Sequence, residues 1–143
     1  MIENLAILPR ARHLTQWAAQ FAVAAELCKR GYEVAFTMGN TTPEADLMVI
    51  APSSRKMFQI DVKGQSTKNF WRIKKKKARE DLYYVLAYVP MEDRNRFFIL
   101  HQKQLGDLMK AYENSGVKFD ARFSGINWTT PSPYEDQWEL LPK

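Results

Sequence analysis

A chain of 143 residues, 45% apolar and 13% aromatic, has the make-up of one globular domain over 1–143 and excludes a disordered or fibrous protein. No apolar run is long enough to cross a bilayer and no secretory leader pattern is visible; the single cysteine, Cys28, excludes an intrachain disulfide or a cysteine-rich zinc site. A reducing, cytoplasmic setting is expected, and a net charge of +5 with a pI near 9.4 leans toward a polyanionic partner.

Residues 1–13 give mixed signals, broken by Pro9 and two arginines. Residues 15–30 read as a helix with Thr15 as its N-cap and Gly31 as its stop. Leu14, Trp17, Ala18, Phe21, Ala25 and Cys28 fall at helical spacing and are the expected buried stripe. Glu26 lies at the margin of that stripe. A carboxylate there needs a proton, a cation or a metal, or else it reaches solvent and pairs with Lys29 or Arg30.

Residues 32–38 alternate as a strand, 39–43 form a turn-rich loop, and 45–51 form a second strand opened by Asp46. A short hairpin loop, 52–56, leads to the most informative stretch, residues 57–65, MFQIDVKGQ. Phe58, Ile60 and Val62 point to one face; Gln59, Asp61 and Lys63 point to the other. A carboxylate and an ammonium with one residue between them sit about 7 Å apart at Cα, so both can converge on one ligand. An acid beside a lysine suits phosphodiester cleavage, where a metal ligand works next to a cation. The plainer alternative is an i,i+2 ion pair on a solvated face. For Asp46 the plainer alternative is an ordinary turn residue.

In chain order the sequence has a helix carrying Glu26, a strand, a strand opened by Asp46, and a strand with Asp61-Val62-Lys63. That pattern resembles the PD-(D/E)XK nuclease superfamily with its restriction-endonuclease-like fold, and within it the Holliday-junction-resolvase-like and Mrr-like members that carry a helical glutamate. The likeness covers residues 15–65 well and the remainder more loosely. The proline that names the motif is not adjacent to the acid here (Pro43-Glu44-Ala45-Asp46), which leaves Glu44 as a rival to Asp46. The resemblance implies that Asp46, Asp61 and the Val62 carbonyl hold Mg2+, or Mn2+. It further implies that Lys63 orients water or offsets charge on phosphate, and that Glu26 holds a water or second ion. Hard oxygen donors of this kind suit those ions. Gln65, on the Lys63 face, reaches toward a phosphate or is simply a polar strand end.

Six of the eight residues in 72–79 are basic, with Phe70 and Trp71 just before them. Arg72, Lys74, Lys75, Lys76 and Lys77 are expected to follow a phosphate backbone while Trp71 stacks on a base. A solvated basic face and a nuclear-localisation signal are the alternatives. Residues 81–89 and 97–100 read as further strands and 103–114 as a closing helix; His13 and His101 are not read as catalytic. Aromatic residues in 119–143 suggest packing against the domain.

The expected fold is α/β, with a mixed, mostly antiparallel central sheet of about five strands flanked by two helices. The expected function is a metal-dependent endonuclease acting on DNA, with a homodimer as the simplest way to cut two strands. Its rivals are a nuclease-fold module that binds nucleic acid or a protein without cutting, and a subunit of a restriction, defence or repair assembly.

Overall fold

The computed structural model describes residues 10–38, 45–116 and 124–143. Glu44 and the loop 39–43 lie outside the described residues.

Five strands form one sheet: β1 (Glu33–Phe36), β2 (Leu47–Ile50), β3 (Met57–Gln65), β5 (Leu82–Tyr88) and β6 (Arg96–His101), in the order β1-β2-β3-β5-β6. β3 and β5 run parallel, and the other neighbouring pairs are antiparallel. A two-stranded ribbon pairs β4 (Trp71–Arg72) with β7 (Gly125–Ile126). Helices α1 (Arg12–Lys29) and α2 (Gln102–Glu113) cover opposite faces. This is the mixed α/β architecture the sequence suggests. Among the described residues no helix is long and apolar enough to cross a membrane.

The alternation of β3 sets the two cores. Phe58, Ile60 and Val62 meet Ala19, Val23 and Leu27 of α1, together with Val85 and Ala87 of β5. On the other face, Tyr84 and Leu86 of β5 and Phe98 and Leu100 of β6 meet Leu105 and Met109 of α2, with Trp71 and Ile73. Each large apolar side chain so buried stabilises by about 1.5–3 kcal/mol. The polar face of β3 is therefore not a solvated face.

Helix α1 departs from the sequence expectation in two ways. It starts after Ala11, and Thr15, expected to cap it, is instead buried and accepts a hydrogen bond from Arg10 Nε at 3.1 Å. Its buried side is Thr15, Ala19, Gln20, Val23, Ala24 and Leu27, whereas Leu14 and Phe21 from the expected stripe are 51% and 58% exposed. Close approach explains the choice. A Cβ placed on Gly64 of β3 would lie 2.6 Å from the Ala19 Cβ, so only small residues fit where the helix crosses the strand. The bulky rings collect outside, with Trp17 stacked on Phe21 at 5.6 Å and Phe21 against Phe36 at 5.4 Å.

Parallel pairing of β3 and β5 obliges the chain to return across one face of the sheet. Residues 66–81 make that return on the α2 side, where Trp71 and Ile73 are buried. The basic run lies on this crossover. Later residues close the α1 side: Trp138 and Leu141 join its core, and Ser54 N donates to the Lys143 carbonyl at 3.1 Å.

Candidate active site

β2 pairs with β3 only as far as Ile60, while β5 accompanies β3 to Gln65. Beyond Ile60 no strand among the described residues lies along one edge of β3, and buried backbone groups there need other partners. Side chains supply them. Asp46, just before β2, donates its own N–H to the Ile60 carbonyl at 3.0 Å, and its Oδ2 accepts the Val62 N–H at 2.7 Å. Gln16 of α1 donates to the Val62 carbonyl at 2.8 Å and accepts the Gly64 N–H at 3.2 Å. Gln20, one turn on, donates a long 3.5 Å hydrogen bond to Asp46 Oδ1.

Asp61 projects from the same stretch into the α2 side and is 3% exposed. Lys63 Nζ lies 3.1 Å from its Oδ1, and Lys76 Nζ lies 2.6 Å from its Oδ2 and donates to it. Burial raises the Asp46 pKa above the usual carboxylate value and the Asp61 charge adds to this; the Val62 N–H, Lys63 and Lys76 pull it back. Tyr84, paired with Asp61 in the neighbouring strand, is also raised by burial and by that charge, so it stays a phenol.

The structure thus brings Asp46, Asp61 and Lys63 together. It does not bring Glu26, and this corrects the sequence expectation. Glu26 sits on the outer side of α1, where its carboxylate pairs with Arg30 Nη1 at 2.5 Å and Lys29 Nζ at 3.4 Å. The Arg30 hydrogen bond lowers its pKa in spite of some desolvation. The cause is the rotation of the helix: the residues facing Asp46 and β3 are the neutral Gln16 and Gln20. Among the described residues, no group of three or more His, Cys, Asp or Glu gathers where a metal ion could be held.

The basic run also differs from expectation. Trp71 is 1% exposed and stacked on Trp128 at 5.6 Å, so it is a core residue and cannot stack on a base. Lys76 is bound to Asp61, and Lys75 pairs with Glu113 at 2.6 Å. Arg72, Lys74 and Lys77 are exposed. Gln65 donates to the Phe70 carbonyl at 3.4 Å and lines a cleft of about 370 Å³ beside Lys63. Arg10, Arg12 and Arg72 line the same cleft, and among its described lining residues there is no carboxylate. Arg10 is anchored by its hydrogen bonds to Thr15 and to the Val89 carbonyl. Sequence reasoning missed Arg10 and Arg12, which read only as interruptions, and Gln16 and Gln20. The available signal for the glutamines was two amides four residues apart in a helix segment poor in charge.

No family model matches this chain, and no curated protein matches it. Among solved structures it is similar to a bacterial homing endonuclease, I-Ssp6803I, with a TM-score of 0.56 and 17% identity over 92% of this chain and 91% of that one. At that identity the likeness is one of fold.

Proposed function

We propose that this chain is a metal-dependent endonuclease of the PD-(D/E)XK type that hydrolyses phosphodiester bonds in DNA. The observation that carries the proposal is the buried Asp61 carboxylate set beside Asp46 and Lys63 at the open end of β3, next to a cleft lined by Arg10, Arg12 and Arg72. A fold shared with a homing endonuclease supports DNA as the substrate.

Asp46, Asp61 and the Val62 carbonyl would hold Mg2+ or Mn2+. The donor set fits such an ion in kind, two carboxylates and a backbone carbonyl being hard oxygens, although both Asp61 oxygens now face lysine ammonium groups. When bound, the ion supplies a more acidic water and neutralises charge on the phosphate. Val62 keeps one carbonyl lone pair for this role, since Gln16 takes the other. Lys63 keeps a cation at the rim, where it offsets charge as the phosphorus gains an oxygen. Gln20 holds Asp46 in place, and the arginines of the cleft receive the phosphates on either side. A second copy of the chain would deliver the cut on the opposite strand.

The test is incubation with linear, supercoiled, single-stranded and branched DNA, each with Mg2+, Mn2+ or chelator. Cleavage that needs metal and disappears in Asp61→Asn supports the reading; wild-type protein that cuts none of them sinks it. Replacing Arg10 and Arg12 together by alanine is expected to flatten the salt dependence of DNA binding by up to about two in slope, measured by anisotropy. An unchanged slope would remove the cleft from the binding surface. One observation favours the rival, a binding module without turnover: α1 offers amides where a carboxylate was expected, and Lys76 already neutralises Asp61. That protein would bind duplex DNA and leave it intact with every metal.

A further inference from the structure

We propose that Lys76 is a placeholder cation: its ammonium takes the position on Asp61 Oδ2 that a divalent ion needs, and metal affinity stays low until it withdraws. The inference rests on the metal-dependent reading above and names a residue that controls loading of the same site.

The contact is built rather than incidental. Lys76 Nζ lies 2.6 Å from Asp61 Oδ2, and the Asp61 side chain is 4% exposed, so the pair is largely shielded from water. The crossover that delivers Lys76 is pinned by the first residue of α2. Gln102 Nε2 donates to the carbonyls of Lys77 at 3.0 Å and Lys76 at 3.4 Å, and Gln102 Oε1 accepts the Arg79 N–H at 2.6 Å. On the other side of Lys76, Lys75 is tied to Glu113 near the end of α2. The backbone at Lys76 is therefore held on both sides, so any withdrawal from Asp61 is a movement of the side chain.

Charge counting gives the consequence. Among the described residues, the carboxylates of Asp46 and Asp61 are matched one for one by the ammonium groups of Lys63 and Lys76. A divalent ion added to that set leaves two uncompensated positive charges in a partly desolvated place, where they repel strongly. Withdrawal of Lys76 relieves half of this and frees Asp61 Oδ2 for the ion. The side chain has somewhere to go. Lys76 borders a cavity of about 360 Å³ that holds Glu113 but also Lys74, Lys75 and Lys110, and a second of about 640 Å³ that offers the carboxylates of Glu80 and Asp107. A four-carbon stem lets the ammonium swing toward the second without moving the backbone. Lys63 differs from it in contacting Oδ1 at the longer distance of 3.1 Å and in sitting on the strand itself.

The experiment titrates Mn2+ into the full chain without nucleic acid and reads the heat. Lys76→Met keeps an unbranched stem and removes the charge; it is expected to bind Mn2+ roughly tenfold tighter than wild type, a coupling of ordinary size. Lys76→Arg keeps the charge and is expected to bind no tighter than wild type. A purely structural role would not separate the two variants by charge. Thermal melts keep the test readable if Lys76→Met folds poorly in chelator. That variant is expected to melt below wild type without metal and to gain more on Mn2+ saturation, because an ion that binds only the folded state stabilises it in proportion to its affinity. Equal Mn2+ affinity in all three proteins overturns the proposal. If none of them binds Mn2+, the metal-dependent reading falls and the placeholder with it. If wild type cuts no DNA while the affinities separate as expected, the endonuclease reading falls alone and the placeholder stands.

Discussion

The two halves of β3 are built from the same alternation and do different things. From Met57 to Ile60 the strand has β2 along one edge, with β5 joining on the other at Gln59. From Asp61 to Gln65, β5 is its one neighbour among the described strands, and its other edge is served by the Asp46 carboxylate and the Gln16 amide. The first half is finished by backbone and the second by side chains. The lesson is that a sheet acquires chemistry where a neighbouring strand stops early. The orphan N–H and C=O groups there hold polar side chains in fixed positions, and the strand's own outward residues arrive beside them.

The largest expected effect lies in the second half. Lys63→Ala should lower cleavage by about 100-fold or more while DNA binding persists, because one preorganised charge at the reacting phosphate is worth that much. Asp61→Asn should abolish cleavage together with Mn2+ binding by calorimetry, whereas Met57→Ala in the first half, 58% exposed, should change stability by no more than about 0.5 kcal/mol. Rates for Lys63→Ala equal to wild type would erase the contrast.

Next comes packing. Gly64→Ala pushes a methyl to 2.6 Å from the Ala19 Cβ, 3.2 Å from the Thr15 carbonyl oxygen and 3.3 Å from Gln16 Oε1. Overpacking of this kind costs about 1–3 kcal/mol, to be read as a lower urea midpoint. A Gly64→Ala protein as stable as wild type would mean that α1 can lift off β3 freely. Gln16→Ala should follow at about 1–2 kcal/mol, since it strands the Val62 carbonyl and the Gly64 N–H at once.

The smallest effect is a pH dependence. The folded pKa of Asp46 is raised by burial, so this group favours the folded state at low pH and that contribution is lost as pH rises through the raised value. In chelator, Asp46→Asn should therefore gain on wild type in urea midpoint as pH rises above the ordinary aspartate value of about 4. A difference that stays flat across this range would show that the Val62 N–H and the two lysines cancel the cost of burying the charge.

How much of this could be read from residues alone varies with the element. The limits and faces of β3 were legible because period-two alternation admits one reading, and they place Asp61 and Lys63 side by side. The facing of α1 was not, since the helix is apolar on more than one side. Size alone favours Leu14, Trp17 and Phe21, while the crossing at Gly64 demands a residue as small as Ala19. From that rotation follow both the misplacing of Glu26 and the oversight of Gln16 and Gln20. The basic run looks exposed when read locally. Only the parallel pairing of β3 with β5, a long-range fact, carries it across the Asp61 face and buries Trp71 and Ile73.

The late residues bear on the order of events during synthesis. The α1-side core includes residues from near the start of the described chain, Ala19, Val23 and Leu27, and from near its end, Trp138 and Leu141. Arg30, just after α1, lies 4.6 Å above the Trp138 ring. While the ribosome is still short of residue 138, α1 can lean on the sheet but its apolar seat is incomplete, and the open end of β3 depends on Gln16 from that same helix. Assembly of the pocket is thereby coupled to synthesis of residues 138–141, and a nascent chain that stops before them would carry the motif residues without the geometry that makes them work.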